Sequence, residues 1–341
     1  MWLAMRFGIS LGALYAPTER VVKLAREAER LGFDYIWVPD SQLIYRDPYM
    51  NLALIAEVTT RSKLGTLVTS PLTRHPSVIA CAAVTLDEIS NGRAVIGLGA
   101  GDSSVRRIGL SPSTSKQLSE AVVIIRRLCK GEAVDFRGVK FGLRFGGRQI
   151  PIYVVATGLK MLKLGGSLGD GVVVHSGTSP VLQDLALKAV KEGAEEAGKH
   201  LDSLDLVHMG FCAISDDRFE AYREVKPSIM WFLLRYQVLL KEAGVSLNDE
   251  LIRRVKHFEE YSEEHDLHHS GEWEKAMEMA SFLPDNFAEE LAYAGTPEDV
   301  IRKIREVEAR GFKQVIIRPT STEHWESTFR TFAEHVIPNF R

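Results

Sequence analysis

The stretch AVIGLGAGD, residues 94–102, joins an apolar run to a glycine-rich turn. Its first part, Ala94–Leu98, is long enough for a buried strand, and that strand must end where Gly99–Asp102 follows. Glycine lets the backbone turn sharply and leaves no Cβ between its N–H groups and a ligand. Taken alone, the stretch is equally consistent with a turn that binds nothing. The surrounding segments therefore determine whether this turn is expected to bind a ligand.

The composition describes a chain that can fold around a large core. It has 341 residues, of which 45% are hydrophobic and 26% charged, and this length fits two ordinary domains or one large α/β barrel. A formal net charge of −3 gives no general attraction to nucleic acid or anionic lipid, so we expect neither as a partner. The opening residues lack the charge pattern of a signal peptide, and no long apolar run occurs. We therefore expect a cytoplasmic protein that acts on a small-molecule substrate.

Strand-like and helix-like segments alternate along most of the chain. Short apolar runs that predict strands begin near residues 5, 35, 64, 93, 152, 171, 205 and 314, and helical patterns separate them. This alternation implies parallel strands joined by right-handed crossovers. Eight strand–helix units predict an α/β fold of the TIM (β/α)8 barrel type rather than a doubly wound sheet. We expect residues 1–341 to form a single domain.

The interval between the seventh and eighth predicted strands is unusually long. We predict a helical insertion there, over about residues 219–286, because the segment carries an apolar cluster and a charged stretch. Glu264, His265, His268 and His269 could be interpreted as metal ligands at helical spacing. They lie in a charged segment with no second cluster to complete a coordination shell, so we expect no metal site.

In TIM barrels, the residues that bind and react with ligands lie at the carboxyl ends of the strands. Here those ends carry mostly small, hydroxyl and acidic residues: Asp40, Ser41, Thr69, Gly101, Asp102, Thr157, Gly158, Ser176, Gly177 and Thr178. Such a face exposes backbone and many hydrogen-bonding groups, which suits a large planar cofactor. The two acids, Asp40 and Asp102, are expected to face a ligand, and Arg74 and His75 follow the third strand.

Two of these turns are suited to phosphate. Thr157–Gly158 and Ser176–Thr178 each precede a predicted helix, where free N–H groups favour an anion. The alternative is that their hydroxyl groups are ordinary helix N-caps. The fifth and sixth strands of a barrel are neighbours, so the two turns taken together favour the phosphate interpretation.

Several longer motifs carry a family resemblance. They are WVPDSQ with RDPY soon after it, LGTLVTSPLTRHP, LDEISNGRAVIGLGAGDS, PIYVVATGLKMLKLGGSLGDGVVVHSGTSP and, near the end, AGTPEDV. In this order they resemble the bacterial luciferase-like flavin and deazaflavin oxidoreductases, and most of all the coenzyme F420-dependent branch that includes methylenetetrahydromethanopterin reductase. The resemblance implies a TIM barrel with an insertion, FMN or F420 at the strand ends, and hydride transfer at the cofactor's central ring. Because the family is commonly dimeric, it also implies a homodimer.

The resemblance further implies a role for each matching position. Asp40 and Ser41 would lie beside the ring system and, with Asp102, are the catalytic candidates. Leu67 and Val68 would form a bulge, often a non-proline cis peptide, that backs the ring next to Thr69. The remaining contacts would be to the ring or ribityl chain from Gly101 and Asp102, and to the phosphate from Thr157, Gly158, Ser176, Gly177 and Thr178.

Two positions depart from the pattern of this branch. Many F420-dependent relatives have histidine after the acid that ends the second strand, where this chain has Ser41. The methanopterin reductases have glutamate at the end of the first strand, where Ser10 stands here. Each change removes a candidate proton donor. The leading hypothesis is an F420-dependent oxidoreductase acting on an organic substrate; the alternatives are an FMN-dependent monooxygenase and a non-catalytic flavin-binding member of the family.

Overall fold

The computed structural model describes residues 4–12, 16–245, 247–265, 272–321 and 324–341. The strands are β1 Arg6–Ser10, β2 Tyr35–Val38, β3 Lys63–Thr66, β4 Ala94–Leu98, β5 Val134–Phe136, β6 Val139–Phe141, β7 Ile152–Ala156, β8 Gly171–Val174, β9 Asp205–Ile214, β10 Tyr293–Gly295 and β11 Gln314–Pro319. The helices are α1 Thr18–Arg30, α2 Pro48–Val58, α3 Pro76–Ile89, α4 Ser103–Arg106, α5 Ser115–Cys129, α6 Leu159–Leu168, α7 Pro180–Glu196, α8 Arg218–Arg235, α9 Gln237–Glu242, α10 Asp249–His265, α11 Trp273–Ala280, α12 Asp285–Leu291, α13 Pro297–Ala309 and α14 Trp325–Thr331.

The main sheet contains all eight strands that the sequence predicts. Its strands pair in the order β10-β9-β11-β1-β2-β3-β4-β7-β8, and β9 also pairs with β8. The pairs β1–β11, β2–β3 and β4–β7 are all parallel. The antiparallel hairpin of β5 and β6 forms a separate small sheet. This strand order, with helices between successive strands, is that of a TIM (β/α)8 barrel, and it confirms the predicted fold class.

Packing contacts divide the chain into two compact units. The first unit contains Met1–Tyr15, Val174–Lys188 and Leu206–Arg341, and the second contains Ala16–Val173 and Ala189–Asp205. In the first unit β11 lies between β1 and β9, and β10 pairs with β9. In the second unit β2, β3, β4 and β7 pair in sequence. That residues 1–341 act as one domain stays a prediction.

An aromatic cluster joins β2 and β7 in the second unit. Trp37 on β2 is fully buried and stacks on Tyr35 at 5.8 Å between ring centroids, and Tyr153 on β7 also lies 5.8 Å from Trp37. Trp37 pairs with Gly65 on β3, where a Cβ would come within 2.5 Å of the indole ring. Real Cβ atoms do not approach carbon this closely, so glycine at position 65 makes the space that the indole occupies.

The segment between β9 and β10 is helical, from α8 to α12. Whether it is an insertion relative to other barrels stays a prediction. Of the four residues considered and rejected as metal ligands, His268 and His269 lie outside the described residues. In the part of the chain that is described, no cluster of histidine, cysteine and acidic side chains has the arrangement of a metal site.

Strand β10 is not among the predicted strands; its three residues pair in parallel with Cys212–Ile214 of β9. A run of three residues is too short to show the alternation or the apolar length by which strands are recognised. The last α-helix, α14, ends at Thr331 and is followed by a π-helical turn and a 3₁₀ turn.

Candidate active site

Asp40 follows β2 and is a buried carboxylate, 3% exposed. Its Oδ2 accepts hydrogen bonds from Thr69 Oγ1 at 2.7 Å and Arg74 Nε at 2.8 Å, and its Oδ1 accepts from Arg74 Nη2 at 3.2 Å. Arg74 Nη2 also binds Asp47 Oδ2 at 2.7 Å. Burial alone would lower the pKa of Arg74, but the hydrogen bonds and charges of Asp40 and Asp47 raise it above its ordinary value. This cluster is therefore a fixed ion-pair network in which both oxygens of Asp40 have partners.

Ser41 is connected to the start of α4. Its hydroxyl lies 2.8 Å from Ser103 Oγ, and Gln42 Nε2 donates to the Ser104 carbonyl. The loop after β2 and the loop after β4 are thus joined by side chains. This places Ser41 beside the residue that follows Asp102.

Asp102 is more exposed than Asp40. Its side chain is 31% exposed, and Oδ1 accepts a hydrogen bond from Arg106 Nε at 2.8 Å. The preceding Gly101 has φ +90°, a backbone conformation that disfavours other residues. Each of the two predicted acids therefore pairs with its own arginine, and only Asp40 is deeply buried.

The peptide bond between Leu67 and Val68 is cis, as the resemblance implies. The backbone around it is held by hydrogen bonds to both neighbouring strands. Leu67 N donates to the Val38 carbonyl at 2.8 Å, and Thr69 N donates to the Gly97 carbonyl at 3.0 Å. Leu67, Val68 and Thr69 therefore occupy a defined position at the carboxyl end of β3.

Gly158 is the N-cap of α6. No side chain among the described residues caps this end, and a Cβ built on Gly158 would meet nothing within 4 Å. The first turn of a helix presents N–H groups that have no partner within the helix, and its dipole favours negative charge. An uncapped helix start of this length is compatible with an anion, and binding of a phosphate by Thr157 and Gly158 stays a prediction.

The turn Ser176–Thr178 belongs to the first unit, and its hydroxyl groups face the protein. Ser176 is fully buried, with its hydroxyl 3.3 Å from the Gly177 carbonyl. Thr178 Oγ1 lies 3.2 Å from the Ala292 carbonyl and 3.4 Å from that of Glu289. A phosphate contact from this turn would therefore have to come from backbone N–H groups.

A buried histidine that the sequence motifs do not single out supports this turn. His208 on β9 places Nε2 2.9 Å from the Gly177 carbonyl and Nδ1 2.5 Å from the Tyr293 hydroxyl. Burial lowers the pKa of His208 to about 4, so the ring is neutral at pH 7. Because a carbonyl only accepts, Nε2 carries the proton and Nδ1 accepts from Tyr293. The one sequence signal was a histidine inside the apolar run of β9.

His175, which follows β8, is a second buried histidine. Its Nδ1 lies 2.6 Å from the Tyr236 hydroxyl, and its ring packs edge-on against Phe211 and Phe232. Burial, with a smaller effect from the charge of Arg318, holds the pKa of His175 well below its ordinary value. His175 is therefore a neutral, hydrogen-bonded residue rather than a cation.

The eight-stranded fold and the polar groups at its strand ends define a TIM-barrel protein with the residue types of an enzyme active site. A family model described as luciferase-like monooxygenase matches residues 2–314. The chain belongs to this family, as the sequence motifs predict.

Individual relatives agree with this assignment. A 5,10-methylenetetrahydromethanopterin reductase of Archaeoglobus fulgidus is 32% identical over 99% of this chain and 100% of its own length. An F420-dependent glucose-6-phosphate dehydrogenase of Nakamurella multipartita is 27% identical over 99% and 97% of the two chains. The structure of the coenzyme F420-dependent tetrahydromethanopterin reductase of Methanopyrus kandleri superposes with a TM-score of 0.82 and 26% identity, covering 99% of this chain and 100% of that one.

Proposed function

We propose that this protein is an F420-dependent oxidoreductase that transfers a hydride between the deazaflavin and an organic substrate. The observation that carries the proposal is the similarity of nearly the whole chain to known reductases and dehydrogenases. The Nakamurella dehydrogenase and the Methanopyrus reductase are named for coenzyme F420, and the Archaeoglobus reductase is named for 5,10-methylenetetrahydromethanopterin. F420 supplies the hydride chemistry, and the protein supplies binding, orientation and exclusion of water.

The residues of the second unit provide the proposed cofactor contacts. Asp40, Ser41 and Asp102 would lie near the reacting ring, Leu67, Val68 and Thr69 would back it, and Gly101 would allow the backbone to approach it. Thr157 and Gly158 would bind the phosphate at the start of α6. The support is geometric: a fixed network around Asp40, and a start of α6 that no described side chain caps. A contribution from Ser176, Gly177 and Thr178 to the phosphate stays a prediction.

The first substrate to test is 5,10-methylenetetrahydromethanopterin, because the Archaeoglobus relative is named for it. Glucose 6-phosphate is the matched comparison, since the Nakamurella relative is named for that reaction. We further propose that the enzyme works in the cytoplasm as a homodimer. Within the described residues every helix is too short or too polar to cross a lipid bilayer.

Cofactor titration tests the proposal directly. The pure protein is titrated with F420 and with FMN in separate experiments, and turnover is followed by the change in deazaflavin absorbance with each substrate. We expect saturable binding of F420 and turnover with one substrate. Binding of FMN alone, with oxygen uptake in the presence of reduced FMN, would instead identify a flavin monooxygenase. Binding of neither cofactor would indicate a non-catalytic member of the family.

A further inference from the structure

Leu43, in the loop after β2, is an exposed apolar residue in a strained backbone conformation. It is 76% exposed, and its φ is +71°, in the left-handed region that glycine and asparagine tolerate and leucine disfavours. An exposed side chain gains no free energy from burial in the core. Strained residues of this kind cluster at active sites and ligand-binding loops. Neither packing nor backbone preference therefore accounts for leucine at this position.

Hydrogen bonds hold the turn that contains Leu43. The Ser41 carbonyl accepts from the N–H groups of Ile44, at 3.2 Å, and Tyr45, at 2.9 Å. The Ser41 hydroxyl lies 2.8 Å from Ser103 Oγ, which ties the turn to the loop after β4. Leu43 is thus held in a fixed turn, two residues from a candidate catalytic residue.

Two more exposed apolar side chains lie in the loop after β4. Ile108 and Leu110 are each 44% exposed, and their N–H groups donate to the Val105 carbonyl, at 3.2 and 3.0 Å. The carbonyl of the residue before Val105 accepts a hydrogen bond from Gln42 Nε2, next to Leu43. We call Leu43, Ile108 and Leu110 the apolar rim. Both of its loops belong to the second unit and follow the carboxyl ends of strands, where TIM barrels bind their substrates.

Charged side chains next to the apolar rim are paired within the protein. Asp102 Oδ1 accepts from Arg106 Nε at 2.8 Å, and Asp47 Oδ2 accepts from Arg74 Nη2 at 2.7 Å. A phosphorylated substrate is recognised best by cations that are available to bind it. The exposed groups of the rim are instead aliphatic, and an apolar or aromatic surface is what such groups bind when water is excluded.

We propose that Leu43 is a specificity-determining residue that contacts an apolar or aromatic part of the substrate, with Ile108 and Leu110 beside it. This inference rests on the proposed function, because the apolar rim adjoins Ser41 and Asp102, which would lie near the reacting ring. It favours a substrate with a fused ring system, such as a pterin, over glucose 6-phosphate, whose surface is rich in hydroxyl groups and anionic. The strained leucine is kept because substrate binding requires its side chain.

Leu43→Asn tests this role by changing stability and substrate binding in opposite directions. Asparagine tolerates a positive φ, so the variant should have a higher denaturation midpoint. Its polar side chain should raise KM for 5,10-methylenetetrahydromethanopterin about tenfold with kcat nearly unchanged. A residue with a structural role alone would not raise KM while it stabilised the fold.

A pair of variants matched in exposure supplies the control. Ile108 and Val123, on α5, are each 44% exposed. Ile108→Asn should raise KM severalfold because it lies in the apolar rim, whereas Val123→Asn should leave KM unaltered. F420 affinity, measured by titration, should stay within about twofold in all three variants.

Calorimetry gives a readout that does not depend on turnover. When the bound F420 is oxidised no hydride is available, so 5,10-methylenetetrahydromethanopterin can be titrated into the complex without reaction. Burial of apolar surface makes the heat-capacity change of binding negative. We expect this change to be less negative in Leu43→Asn than in the wild type, and Kd to be about tenfold higher.

Several results would overturn the inference. They are a wild-type KM and heat-capacity change in Leu43→Asn, or a wild type that turns over glucose 6-phosphate but not 5,10-methylenetetrahydromethanopterin. Loss of a dimer in Leu43→Asn, detected by sedimentation velocity, would assign the apolar rim to contact between two copies of the chain and would also contradict it. Failure of the wild type to bind F420 would contradict the proposed function instead.

Discussion

The guanidinium of Arg74 binds both carboxylate oxygens of Asp40, with Nε 2.8 Å from Oδ2 and Nη2 3.2 Å from Oδ1. The Asp40 side chain is 2% exposed and that of Arg74 is 23% exposed. A planar fork of N–H donors matches a carboxylate in this way, whereas a lysine ammonium would reach it as a single point charge. The pair therefore fixes the orientation of the acid that ends β2.

Replacement of Arg74 should destabilise the protein. Arg74→Met leaves the buried Asp40 carboxylate without its cation, and breaking such a pair costs about 3 to 5 kcal/mol of unfolding free energy. Urea denaturation measures the loss. Arg106→Met is the control, because its partner Asp102 is partly exposed and exposed pairs contribute about 1 kcal/mol or less. Equal losses in the two variants would show that burial of Asp40 has no energetic consequence.

Asp102→Ala should impair F420 binding or turnover while leaving the stability of the fold nearly unchanged. Its ion pair with Arg106 is partly exposed, so we expect the unfolding free energy to change by about 1 kcal/mol or less. If Asp102 contacts the ring or ribityl chain, F420 binding or turnover should fall by about tenfold, which corresponds to about 1.4 kcal/mol. Arg106→Gln removes the same ion pair without removing the acid and should leave binding intact. Unchanged binding and rate in Asp102→Ala would refute the proposed contact.

Gly158→Asp should change stability and binding in opposite directions. Aspartate is a preferred N-cap, so α6 should be stabilised by roughly a few tenths of 1 kcal/mol relative to glycine. A Cβ at position 158 meets no heavy atom within 4 Å, and the charge of the new carboxylate would repel a phosphate at the same helix end. We expect weaker F420 binding together with a higher denaturation midpoint, while Gly158→Ala, which adds no charge, should leave binding nearly unchanged and lower the midpoint. Wild-type affinity in Gly158→Asp would place the phosphate elsewhere.

Acid should weaken the fold through His208. The folded protein lowers the pKa of this histidine from 6.5 to about 4, so below pH 6.5 the unfolded chain takes up a proton that the folded protein does not. The free energy of unfolding should therefore fall as the pH drops from 6.5 to 4, by up to about 3 kcal/mol from this residue. Denaturation curves of the wild type and His208→Gln at several pH values measure the contribution. If the unfolding free energies of the two proteins changed equally with pH, the contribution of His208 would be contradicted.

The sequence predicts the barrel because strands and helices differ in the spacing of their apolar residues. This spacing can be read within each short segment, without knowledge of the rest of the fold. The eight strands begin within a residue or two of their predicted positions, whereas the ninth strand of the main sheet, the three-residue β10, is too short to show a pattern. Asp40, Thr69 and Gly158 could be singled out as strand-end residues, and the cis bond at Leu67–Val68 follows from the family resemblance.

The partners of these residues could not be predicted in the same way. Arg74 is 34 positions from Asp40, and His208 is 85 positions from Tyr293. Contacts of this kind depend on side-chain directions in the folded chain, which periodicity does not encode. The hydrogen bond between Glu224 and His324 spans 100 positions and could not be predicted for the same reason. The sequence therefore indicates which strand ends carry polar groups but not which groups bind each other.

The fit of Trp37 against Gly65 limits how the protein can be redesigned. A larger residue at position 65 is tolerable only if position 37 shrinks at the same time, so single-site saturation at either position should return few folded clones. Libraries that vary both positions together, for example Gly65→Ala with Trp37→Phe, should return more folded clones, because the smaller ring makes room for the new Cβ. In folded variants selected from such libraries, the residues at positions 37 and 65 should change together. A larger side chain at one position should accompany a smaller one at the other, so that their combined volume stays nearly constant.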